Sequence, residues 1–292
     1  MFDVKRHSAT ILSFPFTFVI FAFFVVPLCL VVMVSFWDYN SYSIIPDFIF
    51  TNYQDIFYGC VKSLPDLCTS FATYISSLKF VFITWLITLL TGFLVALFLS
   101  FCVSSLQMQI VLFLLCTIPF WTSNVIRMIS WIPLLGRNGL VNSTMQNIGL
   151  TDSPAEWLLY SEFSVILAFV HLYTLFMVVP IFNTMMRIDK LLLEAARDAG
   201  ASGFQTLTNV IIPLTKPGIM IGSIFVVTLV MGDFITVRFM SGSQSANVGR
   251  LISNDVALLR YPSAAATSII LLMTVLIVIG IMLRFVNIRK EL

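Results

Sequence analysis

Three observations predict an all-α membrane protein of six transmembrane helices. The first is composition: 59% of the 292 residues are hydrophobic, only 10% are charged, and the mean hydropathy is +1.00, whereas soluble domains carry about a quarter charged residues. The second is run length. A spanning helix needs about 20 mostly apolar residues, and six stretches qualify, at about 11–36, 75–101, 108–132, 163–186, 218–240 and 264–286. The third is the placement of charge. With the N-terminus in the cytoplasm, six spans leave Lys5, Arg6, Arg187, Lys190, Arg197, Lys216, Arg284, Arg289 and Lys290 inside and only Lys62, Arg137, Arg250 and Arg260 outside. The positive-inside rule therefore puts both termini in the cytoplasm.

The first run follows Lys5 and Arg6, as the apolar core of a signal peptide would. It exceeds the roughly 7–15 residues of such a core, and no small-residue cleavage site follows, so it reads as an uncleaved first span. Residues 37–74 then form a long outer loop rich in aromatic and turn residues. Its Cys60 and Cys68 stand on the oxidising side, where a disulfide is allowed, though spacing alone leaves the pairing open. Cys29, Cys102 and Cys116 fall in or at the edges of spans and read as small core residues. Residues 133–162 form a second outer segment, whose Leu140, Met145, Ile148 and Leu150 suggest short helices at the interface. With no repeat or low-complexity tract, residues 1–292 read as one membrane domain.

Several chemistries are absent. No lysine follows a glycine, so there is no phosphate-binding P-loop. Two histidines, His7 and His171, supply no metal-ligand pair. No basic run suggests nucleic acid. Gly200-Ala201-Ser202-Gly203 resembles the nucleophile motif of rhomboid intramembrane proteases, but no histidine follows it to serve as base, and it lies in a polar loop. His171 reads as a span histidine bonded to a carbonyl or a neighbouring helix.

The polar island at about 187–217 lies between two apolar runs, on the cytoplasmic side of this topology. Leu192, Ala195, Ala196 and Ala199 fall on one helical face over residues 188–199. Gly200 stands where a helix ends in a left-handed residue. Ser202 or Gly203 then caps a second short helix with Phe204, Leu207, Thr208 and Ile211 on one face, and Pro213 and Pro217 end it. A helix–turn–helix elbow results. Lys190 and Glu194, four apart, are placed to pair.

Glu194-Ala195-Ala196, then Gly200, then Val210-Ile211-Ile212-Pro213 resembles the EAA motif of bacterial ABC import permeases, with Val210 and Ile212 as conservative departures. Pro119-Phe120-Trp121-Thr122-Ser123, Arg127, Trp131 and Leu135-Gly136-Arg137-Asn138-Gly139-Leu140-Val141-Asn142 resemble the third-span region of spermidine/putrescine-type permeases. Gly232-Asp233-Phe234, Gly242, Gly249 and Ala264-Ala265-Ala266 extend the likeness, and Asn52-Tyr53 fits the first permease of the pair. Thr236-Val237-Arg238 departs from the Thr-Pro more usual in polyamine relatives.

This resemblance implies a type I ABC importer permease fold in a bacterial inner membrane. It implies a second homologous permease, two ATPase subunits and a periplasmic binding protein as partners, with ATP and magnesium held by the ATPases and no cofactor or catalytic group on this chain. The elbow becomes the coupling helix, with Glu194, Ala195, Ala196, Gly200, Phe204 and Pro213 as ATPase-coupling residues. Intramembrane polar groups usually mark function or paired structure, which makes Trp121, Asn124, Arg127, Asp233, Thr236 and Arg238 candidates for the translocation path. Asp233 reads equally as an arginine's structural partner. The implied solute is polyamine-like, with an opine, amino-acid derivative or phosphonate as alternatives and a stand-alone carrier or channel as a competing class.

Overall fold

The computed structural model describes residues 14–40, 43–58, 60, 68–242 and 244–284. The outermost residues expected of the first and last spans (11–13 and 285–286), the terminal charges Lys5, Arg6, Arg289 and Lys290, and loop residues Lys62 and Asp66 lie outside the described residues. Among the described residues five helices are long and apolar enough to cross a bilayer, and a bent pair makes a sixth candidate crossing. By contact density the chain divides into two compact units. One takes in the described residues up to Phe71 with Leu251–Met273, and the other Ala72–Arg250 with the residues from Thr274 on.

In the first unit, α1 (Phe14–Val34) is apolar all round and carries no buried residue, as suits a helix bathed in lipid. A π-helical turn at Phe21–Val25, where the Val26 N–H reaches Phe21 O, precedes Pro27. A proline ring would strike the carbonyl four residues back, and the wider turn absorbs it. Beyond α1, strands β1 (Asp38–Tyr39) and β2 (Ile44–Ile45) pair antiparallel, Asp38 opposite Ile45. The short helix α2 (Thr51–Ile56) is tied back by buried Asn52, whose Nδ2 donates to Ser35 O (3.0 Å) and Trp37 O (2.8 Å). Phe36, Phe48, Phe50 and Tyr53 stack around this fastening. Cys60 and Cys68 are joined by a disulfide, Cα–Cα 4.7 Å.

In the second unit, α3 runs over Thr69–Cys102, so the outer loop ends about six residues before the expected limit. Thr73, Tyr74 and Ser77 are buried there, and that polar but buried face hid the start of the helix from a hydropathy reading. The third expected span, 108–132, is broken. Helix α4 (Leu106–Trp121) and the following segment Asn124–Asn147 meet at a bend of 91°. Pro119 tightens the end of α4 into a 3₁₀ turn, Thr122 and Ser123 are extended, and the Thr122 hydroxyl bonds back to Pro119 O (2.8 Å). Beyond the bend come α5 (Asn124–Ile129) and α6 (Trp131–Leu135), short helices where the third span was expected to finish, and α7 (Leu140–Asn147), a short helix in the second outer segment as expected.

The core is built on α8 (Glu162–Met185) and α10 (Gly203–Gly232), which make the most extensive pair. Met177 of α8 is fully buried between two glycines: a Cβ on Gly92 of α3 would lie 2.8 Å from its Cγ, and one on Gly222 of α10 2.8 Å from its Sδ. Small residues let helix backbones close in where lipid offers no hydrophobic drive. Trp85 Nε1 donates to Ser223 Oγ (2.8 Å), and Phe80 meets Phe169 edge to face, so α3 closes on the same core.

Two boundaries correct the sequence reading. The fifth span begins at Gly203 rather than 218, because Pro213 and Pro217 do not end the second elbow helix. A π-helical turn at Leu207–Ile211, with the Ile212 N–H reaching Leu207 O, makes room for Pro213 just as the first π turn does for Pro27. The span also ends at Gly232 rather than 240. Asp233 is extended (φ −82°, ψ 99°) and starts a separate helix, α11 (Phe234–Met240). Helix α12 (Val248–Ala257) continues the chain, and α13 (Tyr261–Arg284) is its last crossing.

Candidate functional site

Two places gather the polar residues that an apolar chain must justify. The first lies around the break at Asp233. Its carboxylate caps α11, with Oδ1 accepting from Thr236 N (3.0 Å) and Oδ2 from Thr236 Oγ1 (2.5 Å). The same Oδ2 accepts from Tyr173 Oη of α8 at 2.6 Å, while Asn247 Nδ2 donates to the Asp233 carbonyl at 2.8 Å. Both contacts pin the broken end of α10. Among the described residues no arginine lies within ion-pair distance of Asp233; the hydroxyls of Tyr173 and Thr236 and the Thr236 backbone N–H hold this carboxylate. Five positions of chain are awkward for a side-chain pair on one helix, and α11 turns Arg238 to the surface while Asp233 faces α8.

Arg127 of α5 is 7% exposed. One of its terminal nitrogens donates to Asn124 Oδ1, and its Nε has no hydrogen-bond partner among the described residues. It lines a cavity of about 170 Å³ with Phe120, His171, Thr174 and neighbours. His171 meets Trp131 edge to face and accepts from its indole N–H at Nδ1 (2.9 Å), the bond to a neighbouring helix expected of it.

The second place is the elbow. Helix α9 (Lys190–Asp198) has no buried residue. Asp189 caps its start through Leu191 N (3.0 Å). At its end Gly200 takes φ +81°, its N–H bonds to Arg197 O (2.8 Å), and the Ala201 N–H to Ala196 O (3.0 Å). That is the paired closure of a Schellman motif. Ser202 and Gln205 then cap α10 reciprocally: Ser202 N donates to Gln205 Oε1 (2.8 Å) and Gln205 N to Ser202 Oγ (3.3 Å). Leu191 (67% exposed), Leu192 (48%) and Phe204 (74%) stand uncovered on this polar element.

No family model matches the chain. Over 214 residues it is 36% identical to the spermidine/putrescine transport system permease protein PotB of Salmonella typhimurium (strain SL1344), covering 73% of this chain and 72% of that protein. The chain belongs to the PotB family of ABC importer permeases. A putative 2-aminoethylphosphonate transport system permease protein, PhnU of Salmonella typhimurium (strain LT2), is 30% identical over 49% of this chain and 50% of its own length. Among solved structures, a chain of a bacterial alginate ABC transporter in complex with an alginate pentasaccharide-bound periplasmic protein superposes with a TM-score of 0.77, over 99% of this chain and 97% of that one. At 18% identity this likeness carries the fold alone.

The permease is thus a multi-pass inner-membrane protein whose elbow carries the EAA motif. Glu194 and Ala195 are exposed on α9, Ala196 is half-buried, and Pro213 is half-buried where α10 leaves the π turn. Among the path candidates, Asp233 and Thr236 meet at the start of α11, where Thr236 is 2% exposed, and Arg127 stands on α5. Asn124 pairs with Arg127 on the same helix. Trp121 is 83% exposed on the far side of the bend, and Arg238 is also exposed; neither joins these pairs. Tyr173 and Asn247 were not anticipated. The available sign was the run His171-Leu172-Tyr173-Thr174, three polar-tipped residues inside an apolar helix. Glu194 and Lys190 form no ion pair; the ion pair seen between described side chains is Lys79 with Glu162, 2.5 Å, joining α3 to α8.

Proposed function

We propose that this permease forms half of the import path of an ATP-driven transporter for a small solute bearing an ammonium group. The polyamines in PotB's name are the first class to test; the aminophosphonate in PhnU's name also carries an ammonium. Both termini and the elbow face the cytoplasm, in keeping with the nine inner and four outer bases enumerated above. A second homologous permease completes the path, two ATPase subunits bind ATP and magnesium and dock on the elbows, and a periplasmic binding protein delivers the solute.

The observation that carries this reading is the continuity of α10. Thirty residues of helix at 1.5 Å each span about 45 Å, against a hydrocarbon core of about 30 Å. The helix that starts at the exposed Phe204 of the elbow therefore continues without a stop to Gly232, one residue before Asp233. An ATPase that grips the elbow and closes would move a stiff lever whose other end carries the polar cluster. Alternating access then needs a rigid displacement of α10 with α8, which Gly218, Gly222 and Met177 hold together.

The test is co-purification. The permease carried on an affinity tag in its native membrane should bring an ATPase with it, and substitution of exposed Phe204 by Glu should release that subunit while the two permeases stay together. A permease that transports without any ATPase would sink the reading in favour of a stand-alone carrier.

A further inference from the structure

Aromatic rings follow one line along α8. Phe169, Tyr173 and Phe176 stand at i, i+4 and i+7, on one face of the helix. Phe169 and Tyr173 stack with centroids 5.9 Å apart, and Phe176 follows Tyr173 at 6.2 Å. Phe176 then meets Phe225 of α10 at 6.1 Å. The line leaves the core as it goes. Phe169 is fully buried, Tyr173 is 4% exposed, Phe176 is half-buried and Phe225 is 47% exposed. Its inner end is packing, and its outer end is ring surface that this chain leaves uncovered. Phe120 also touches Phe176, at 5.5 Å, but it walls the cavity that holds Arg127, so its ring fronts a cation already.

A hydrogen bond ties this line to Asp233. The Tyr173 hydroxyl donates to Asp233 Oδ2 at 2.6 Å, so a carboxylate stands at the tip of one ring. Asp233 is partly exposed, and among the described residues no cationic side chain lies within ion-pair distance of it. Helix α10 leads to the same point. Its exposed stripe runs through Ile221, Phe225, Thr228 and Gly232, at i, i+4, i+7 and i+11, and ends one residue before Asp233. Ile221 and Phe225 by themselves would suit lipid. A stripe that ends on a carboxylate does not, because a charge at membrane depth faces a path or a partner.

We propose that the uncovered rings of Phe225 and Phe176 seat a second cationic group of the solute whose first ammonium pairs with Asp233. A cation is attracted to the face of an aromatic ring within about 6 Å of its centroid, most strongly where water is excluded. Phe225 and Asp233 are eight positions apart, about 12 Å of helix rise. One ammonium does not meet both, whereas two on one extended chain do. Putrescine, with its nitrogens five bonds apart, spans about 6 Å when extended, and spermidine, with its terminal nitrogens nine bonds apart, spans about 11 Å. The rings are therefore the specificity-determining end of the site, and they favour the longer chain. The proposal rests on the reading of this chain as half of an import path for an ammonium-bearing solute, and it adds the residues that measure that solute's length.

The test uses the membrane complex, purified with its own partner subunits in nanodiscs and without the soluble binding protein, so that only the membrane site is counted. Tritiated spermidine and putrescine are the probes. The wild-type complex should bind spermidine the more tightly. Phe225→Leu keeps an apolar side chain and removes the ring, and it should cut the spermidine-to-putrescine affinity ratio about threefold to thirtyfold. Phe98→Leu should leave the ratio unchanged, since Phe98 is exposed on α3 in a pocket lined by Leu94, Leu99 and Leu115 with no charged residue. A ratio unchanged in Phe225→Leu, or changed as much in Phe98→Leu, would overturn the proposal, and so would a wild type that binds both probes equally. If Phe225→Leu fails to assemble, trifluorophenylalanine at position 225, which keeps the ring and drains its negative face, decides by the same ratio. The ATPase content of the same preparation separates the two readings. ATPase present with an unchanged ratio sinks the aromatic seat alone. ATPase absent, with a ratio that depends on Phe225, sinks the importer and keeps the seat. A wild-type complex that carries its ATPase and binds neither probe keeps the importer and removes the ammonium-bearing solute, and the seat with it.

Discussion

The Tyr173 hydroxyl donates to Asp233 Oδ2 across 2.6 Å, joining the middle of α8 to the point where the fifth span breaks. Asp233 does two jobs at once: it caps α11 through Thr236 N and it carries a negative charge held by neutral partners. The two jobs separate by substitution. Asparagine caps a helix about as well as aspartate, whereas alanine loses roughly 0.5–2 kcal/mol.

Asp233→Asn should therefore leave assembly and solute-free ATPase activity near wild type while transport falls, because the amide oxygen keeps the cap on Thr236 N, the amide NH2 can donate to the Tyr173 and Thr236 hydroxyls, and the charge is gone. Asp233→Ala should lower the melting temperature of the complex as well. Transport and ATPase activity are read in proteoliposomes, stability by thermal unfolding. Loss of assembly in Asp233→Asn would make the carboxylate a structural clamp, and unchanged transport would put it outside the path.

The elbow was legible because its signals are local. Gly200 at a helix end, Ser202 three residues before Gln205, and the alanine face of α9 each state their conformation within one turn. The breaks in the spans were not. The bend after Trp121 depends on Pro119 and Thr122 acting together inside an otherwise apolar run. Pro213, a stop signal by any local rule, is absorbed by a π turn that hydropathy cannot register. The polar cluster was half legible. Arg127, Asp233 and Thr236 announce themselves as polar groups in apolar surroundings. The Tyr173–Asp233 bond spans 60 positions of chain, and no single-sequence pattern reports it.

Gly218 should be intolerant of even one methyl group. A Cβ there would lie 2.5 Å from the Pro180 carbonyl oxygen and would also strike the Thr184 side chain, so α8 and α10 would have to part. Overpacking of this kind costs about 1–3 kcal/mol. Gly218→Ala should lower the melting temperature of the purified complex. Gly280→Ala, on α13 with nothing within 4 Å of the new methyl, should leave it unchanged or raise it slightly. Equal melting of the two variants would contradict the close crossing of α8 and α10.

The orientation has a direct chemical check. In a background lacking Cys29, Cys102 and Cys116, single cysteines at the exposed positions Ser153 and Asp198 report opposite sides of the membrane. An impermeant maleimide added to intact spheroplasts should label Ser153→Cys and spare Asp198→Cys. Permeabilised spheroplasts stripped of the ATPase should label both. Outside labelling of position 198 would invert the topology and remove the elbow from the reach of any cytoplasmic ATPase.

Gly200 isolates coupling from packing. A Cβ on it meets nothing within 4 Å in this chain. Its φ of +81° is the whole constraint. A β-branched residue is a genuine outlier in that region, alanine is disfavoured, and asparagine is the side chain that best tolerates it. Transport should therefore fall in the order Gly200→Asn, Gly200→Ala, Gly200→Val, while the spans, which do not involve this residue, stay intact and the protein reaches the membrane at normal levels. Distortion of the Schellman closure would swing α9 relative to the start of α10, so the valine variant should also lose ATPase during purification. The order itself is the evidence: three side chains whose Cβ meets nothing in this chain are ranked by their backbone penalty at this φ. Normal transport by Gly200→Val at normal expression would show that the left-handed turn does not matter to coupling, and would leave the elbow without its assigned role.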